Sequence, residues 1–124
     1  MILDVPTAQV VVTNPTHLAI ALAYAPGDIA PKLVAKGAGI VAQRIRAVAE
    51  AAQVPLRENK PLAQALFRQV EVNELIPLEL YEAVAEVLAA VQLAEQKAAA
   101  QRRAQVAPSP SSPNDAASPM LREL

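Results

Sequence analysis

The sequence predicts a single α/β domain with a sheet of about four strands covered by helices. Three observations carry this. Short β-branched or strictly alternating apolar stretches come early in the chain, and stretches with helical apolar spacing follow. Pro, Gly and Asn punctuate the boundaries between them.

Ala8 to Thr13 reads AQVVVT, a β-branched run that suits a strand buried on both faces. Asn14-Pro15 ends it, because proline has no amide hydrogen and fixes its own φ. His17 to Tyr24 reads HLAIALAY. Leu18, Ile20, Leu22 and Tyr24 alternate there with Ala19, Ala21 and Ala23, giving a strand with one bulky face and one small face. The small face lets a helix sit close. Ala25-Pro26-Gly27-Asp28 is a turn. Lys32 to Lys36 is a third strand, with Gly37 read as the turn residue that ends it.

From Ala38 to Gln53, the spacing of Val41, Ile45, Val48 and Ala52 predicts a helix with Gln43, Arg44 and Glu50 on its outer side. Val54 to Arg57 is a fourth short strand, and Pro55 marks it as an edge or a strand start. Pro61 opens a helix through Gln69, with Leu62, Ala65 and Leu66 as its apolar side. Glu71 to Ile76 is a loop. Pro77 starts the last helix, with the stripe Tyr81, Val84, Leu88 and Val91. Residues 1–7 are expected to be a linker, either the end of an upstream membrane segment or a native N-terminus. Residues 8–93 form the domain, 94–105 a helix extension, and 106–124 a disordered Pro/Ser tail.

Composition excludes several function classes. The chain has 124 residues, 53% of them hydrophobic, with 11 Lys+Arg against 12 Asp+Glu. A net charge of −1 argues against a general nucleic-acid binder, which needs a basic surface. Without cysteine there is no disulfide or thiolate metal site, and one histidine builds no zinc site alone. No metal and no cofactor is expected. The longest wholly apolar run, Leu18 to Ala25, is far short of a membrane span, so this chain reads as soluble and cytoplasmic. Charge is unevenly spread: Lys32 to Arg68 is mainly basic, and Glu71 to Glu95 carries only acids. Either these are solvated faces or one of them meets a partner of opposite sign.

The remaining chemistry lies in Asn14-Pro15-Thr16-His17, between two predicted strands. As four letters alone it reads as a turn. Chemically it offers more. The Asn14 side-chain nitrogen can reach its own backbone carbonyl carbon, close a five-membered ring and break the Asn14–Pro15 bond. Pro15 favours this route twice. Its tertiary amide holds planarity less firmly in a strained turn. It also lacks the N–H that would otherwise attack the Asn14 side chain. His17 could take or relay a proton, since imidazole ordinarily titrates near pH 6.5. Thr16, through its hydroxyl or N–H, could hold the developing oxyanion or fix the turn.

These residues, preceded by VVVT and followed by LAIALAY, resemble the cytoplasmic domain of the FlhB/YscU family, the self-cleaving export-switch proteins of bacterial type III secretion. LVAKG (Leu33–Gly37), QRIRAVAE (Gln43–Glu50), VPLRENKPLAQALF (Val54–Phe67) and IPLELYEAVAEVLAAV (Ile76–Val91) continue the resemblance in the same order. It covers about Val5 to Gln92. AKG, ENKPLA and VEVNELIP (Val70–Pro77) look more like the flagellar branch.

The resemblance implies single-turnover autocleavage between Asn14 and Pro15, with Thr16 and His17 in support. It also implies a role in switching export from early to late flagellar subunits at the cytoplasmic face of the inner membrane. Its implied partners are other export-apparatus proteins, export substrates and a hook-length control protein. Family members usually carry an N-terminal membrane domain that this sequence lacks, so the chain is either an excised C-terminal domain or a free-standing paralogue. After cleavage, residues 1–14 and 15–124 are expected to stay associated. The competing expectation is a non-cleaving docking or adaptor domain that binds export substrates or apparatus proteins. An enzyme acting on another molecule is poorly supported, because no second catalytic group accompanies His17.

Overall fold

Strand β1 (Val10–Asn14) lies inside the sheet, and all its residues are buried. It pairs antiparallel with β2 (Leu18–Ala23) and parallel with β4 (Leu56–Glu58). Strand β3 (Lys32–Ala38) pairs antiparallel with β2, giving the order β3-β2-β1-β4. These positions come from a computed structural model that describes residues 1–15 and 17–106. The expected Pro/Ser tail therefore lies outside the described residues, apart from Val106. The described chain divides into two units, Met1–Val91 and the residues from Gln92 onward.

Alternation in β2 decides what covers each face of the sheet. Ile20 and Leu22 join Val10, Val12 and Leu33 in a core completed by α2 (Lys60–Gln69) and the first turns of α3 (Leu78–Val106). Ala19 and Ala21 join Val11, Val34 and Ala35 on the opposite face, under α1 (Ile40–Ala51). A register irregularity opposite Ala21/Leu22 lets the consecutive residues Val34 and Ala35 both serve this second face. Ile20 and Leu22 are fully buried, each contributing on the order of 1.5–3 kcal/mol of transfer free energy.

Four local features differ from the sequence reading. The buried stripe of α1 is Ala42, Ile45 and Ala49, whereas Val41 and Ala52 are exposed and Val48 is only partly buried. A helix lying close on an alanine face selects small residues, so hydrophobicity alone places the stripe one position off. On α2, Ala63 is buried with Leu62 and Leu66, and Ala65 is only partly buried. On α3, Val87 is buried with Val84 and Val91, while Tyr81 is exposed. Finally, Gly37 does not end β3. It is buried within the strand, where an added Cβ would lie 2.3 Å from Cγ1 of Val41. The turn residue is Gly39, with φ 59°.

Residues 1–7 also differ from a plain linker. Ile2–Thr7 form a 3₁₀ helix whose Val5 is fully buried in the core beneath α1. The segment before α3 is a loop, as the sequence indicates, and it is tied to β3. Leu33 N–H donates to Glu74 O, Asn73 N–H donates to Leu33 O, and Ile76 N–H donates to Pro31 O. In the second unit, α3 continues from Gln92 to Val106 with mostly exposed side chains through Arg102.

Candidate functional site

Strands β1, β3 and β4 run in one direction and β2 runs against them, so Asn14, Ala38 and Glu58 end along one edge of the sheet. Helix α1 starts just beyond β3 and α2 just beyond β4, which puts both helix N-termini at the edge where β1 turns into β2. In open α/β sheets, the carboxyl ends of the parallel strands are where sites collect.

The turn itself is short. Asn14 pairs with Leu18, so residues 15–17 alone connect the strands. His17 N–H donates to Asn14 O at 2.9 Å and closes the turn. The two flanking peptides are each anchored to a helix cap residue. Asn59 N–H, at the cap of α2, donates to Thr13 O at 2.9 Å. Gly39 N–H, at the cap of α1, donates to His17 O at 3.0 Å. Asn59 also caps α2 with its side chain, Oδ1 accepting from Leu62 N–H at 3.2 Å.

Asn14 is buried, Pro15 is half-buried and His17 is exposed. Asn14 is 7% exposed, so its carboxamide lies in a largely water-excluded position beside its own backbone carbonyl. His17 Nδ1 lies 3.2 Å from Pro15 O. A carbonyl oxygen only accepts, so Nδ1 is the donor in this contact. Thr16 lies outside the described residues.

The structure thus brings Asn14, Pro15 and His17 together in one tight turn. It also supplies a donor that the sequence reading, which offered the hydroxyl or N–H of Thr16, did not name. The oxygen that would become an oxyanion is Asn14 O, and it accepts from the His17 backbone N–H. The i to i+3 spacing of a tight turn is the sequence signal for that bond. Gly39 and Asn59 carry only weak signals, a glycine between strand and helix and an asparagine before Lys60-Pro61. Among the described residues, no group of three or more His, Cys, Asp or Glu side chains is placed to hold a metal ion. No helix among them is long and apolar enough to cross a membrane.

A model of the FlhB HrpN YscU SpaS Family matches residues 1–91. The flagellar biosynthetic protein FlhB of Salmonella typhimurium is 54% identical over 90 residues, which are 72% of this chain and 24% of that protein. The chain therefore spans about a quarter of the length of the curated relatives it matches. Among solved structures, the cytoplasmic domain of FlhB from Shewanella putrefaciens superposes with a TM-score of 0.76 at 36% identity, covering 80% of this chain and 77% of that one. A mutated EscU C-terminal domain gives a TM-score of 0.70 at 28% identity, covering 73% of this chain and 91% of that one.

Proposed function

Because the chain belongs to the FlhB HrpN YscU SpaS family, we propose that it is the self-cleaving cytoplasmic part of a flagellar type III protein export component. The single observation that carries the cleavage is the bond from His17 N–H to Asn14 O, at 2.9 Å. It polarises the carbonyl that the Asn14 carboxamide would attack and stays in place as negative charge develops on that oxygen.

The atoms balance without a co-reactant. Asn14 Nδ2 forms a bond to the Asn14 carbonyl carbon, and the bond from that carbon to Pro15 N breaks. One proton passes from Nδ2 to Pro15 N. Residues 1–14 then end in a succinimide that water later opens, and residues 15–124 begin with a free proline. His17 is held beside the leaving group through Pro15 O and is the candidate proton carrier. Thr16 supports the turn in this scheme.

Cleavage here is a single-turnover maturation. Its product keeps β1 in the sheet and frees the turn, so a partner can distinguish cut from uncut chain by the shape and new termini of one surface loop. The proposed partners are export-apparatus proteins, export substrates and a hook-length control protein. The proposed place of action is the cytoplasmic face of the inner membrane. The flagellar assignment is supported by the 54% identity to FlhB of Salmonella typhimurium. Denaturing electrophoresis with intact-mass analysis tests the chemistry. Two pieces that meet at Asn14 and Pro15 are expected. A folded chain that stays whole in mild buffer overturns self-cleavage and leaves a docking domain.

A further inference from the structure

We infer that Gly39 is a positioning residue for breaking the Asn14–Pro15 bond, an inference that rests on the self-cleavage proposed above. Its backbone holds φ 59° and ψ −124°, a combination that residues with a Cβ avoid. This conformation turns the chain from β3 into α1 and aims the Gly39 N–H at His17 O, 3.0 Å away. Residue 17 then uses its own N–H to hold Asn14 O. Two backbone bonds in series thus connect the cap of α1 to the carbonyl under attack. On the other side, Asn59 N–H fixes Thr13 O, the peptide just before Asn14. The reacting residue sits between two anchored peptides, and only the Gly39 anchor acts through the residue that holds the oxyanion.

Gly39 has room but no conformational alternative. A Cβ built on it meets nothing within 4 Å, so alanine there is strained by its backbone and not by a clash. Relieving that strain rotates φ and swings the N–H away from His17 O. Gly27 provides a matched control. It also has positive φ, 92°, and open space around a built Cβ. It lies in the Ala25–Asp28 turn, at the opposite edge of the sheet from Asn14.

The test follows cleavage as the full chain refolds from denaturant, read by denaturing electrophoresis, with thermal unfolding of each product measured alongside. Gly39→Ala is expected to slow cleavage about tenfold, and Gly27→Ala to leave it within about twofold at a similar loss of thermal stability. Sucrose that restores the thermal stability of Gly39→Ala is expected to leave its cleavage slow. A chemically synthesised chain with glycolic acid at position 39 replaces that N–H by an ester oxygen without adding a side chain, and is expected to fold and to cleave about fivefold more slowly; this variant decides the matter if Gly39→Ala does not fold. Wild-type cleavage rates in the folded Gly39→Ala chain or in the ester chain overturn the inference. So does full recovery of the Gly39→Ala rate in sucrose, or equal slowing by Gly27→Ala. If the unaltered chain itself never cleaves, it is the self-cleavage that fails.

Discussion

His17 donates its backbone N–H to the carbonyl oxygen of Asn14 across 2.9 Å. In an ordinary hairpin such a bond only closes the turn. Here the accepting oxygen belongs to the peptide that joins Asn14 to Pro15, so the bond that shapes the loop also polarises the link proposed to break. The donor needs no reorganisation when charge develops, which is where preorganised dipoles contribute most.

The nucleophile is the first thing to remove. Asn14→Ala is expected to leave a folded chain in one piece, since it deletes the nucleophilic carboxamide and leaves Val10, Val11 and Val12 buried. Circular dichroism and intact mass check this, and a split at the same bond in that variant rules out side-chain cyclisation. Pro15→Ala restores a backbone N–H at position 15. Slower cleavage accompanied by some deamidation of Asn14 is expected from it, visible in the same mass spectra.

The cut chain is expected to remain one particle. Residues 1–14 supply β1, which lies between β2 and β4, together with the 3₁₀ helix that buries Val5. Val5, Val10, Val11 and Val12 are fully buried, and each contributes on the order of 1.5–3 kcal/mol of transfer free energy. Co-elution of both pieces in native size exclusion, with separation only in denaturant, is the expected result. Early loss of the short piece in plain buffer would contradict it.

Lys36 fastens the far side of the same sheet. Its Nζ donates to Phe67 O and Val70 O, each at 2.9 Å, at the carbonyl end of α2. It also lies 3.7 Å from Glu71 Oε1 and 5.2 Å from the centre of the Phe67 ring. The side chain is only 17% exposed while Glu71 is 72% exposed, so the two carbonyl bonds matter more than the ion pair. Lys36→Met is expected to cost about 2 kcal/mol in urea unfolding, because hydrogen bonds from a charged donor to helix-end carbonyls are stronger than neutral ones.

What could be read from the sequence follows how local each cause is. The alternation of Leu18, Ile20 and Leu22 with Ala19, Ala21 and Ala23 repeats every second residue, and it announces both the strand and the face that takes a close helix. The α1 stripe is different. Val41 outranks Ala42 in hydrophobicity, yet the tight approach of α1 to alanines of β2 buries Ala42. Gly37 looks like punctuation until Val41 is seen lying against it. Lys36 finds its carbonyl partners 31 and 34 positions along the chain, beyond any local pattern. At the loop, residue chemistry pointed to Asn14 and His17, with the hydroxyl or N–H of Thr16 offered for the oxyanion. The bond to Asn14 O comes from a backbone N–H, which every residue but proline carries and no residue type announces.

The His17 ring is the remaining variable. Its Nδ1 is tied to Pro15 O at 3.2 Å, which holds the imidazole on the leaving-group side of the link. His17→Ala keeps the backbone N–H that holds Asn14 O, so it separates the ring's role from that of the peptide group. Cleavage is expected to slow by about 10²-fold, the lower end of what general acid–base groups contribute, without stopping. Refolding-initiated time courses of the two proteins measure the effect. Equal rates in the unaltered chain and in His17→Ala would remove the ring as proton carrier and leave the polarised carbonyl as the loop's main contribution to the rate.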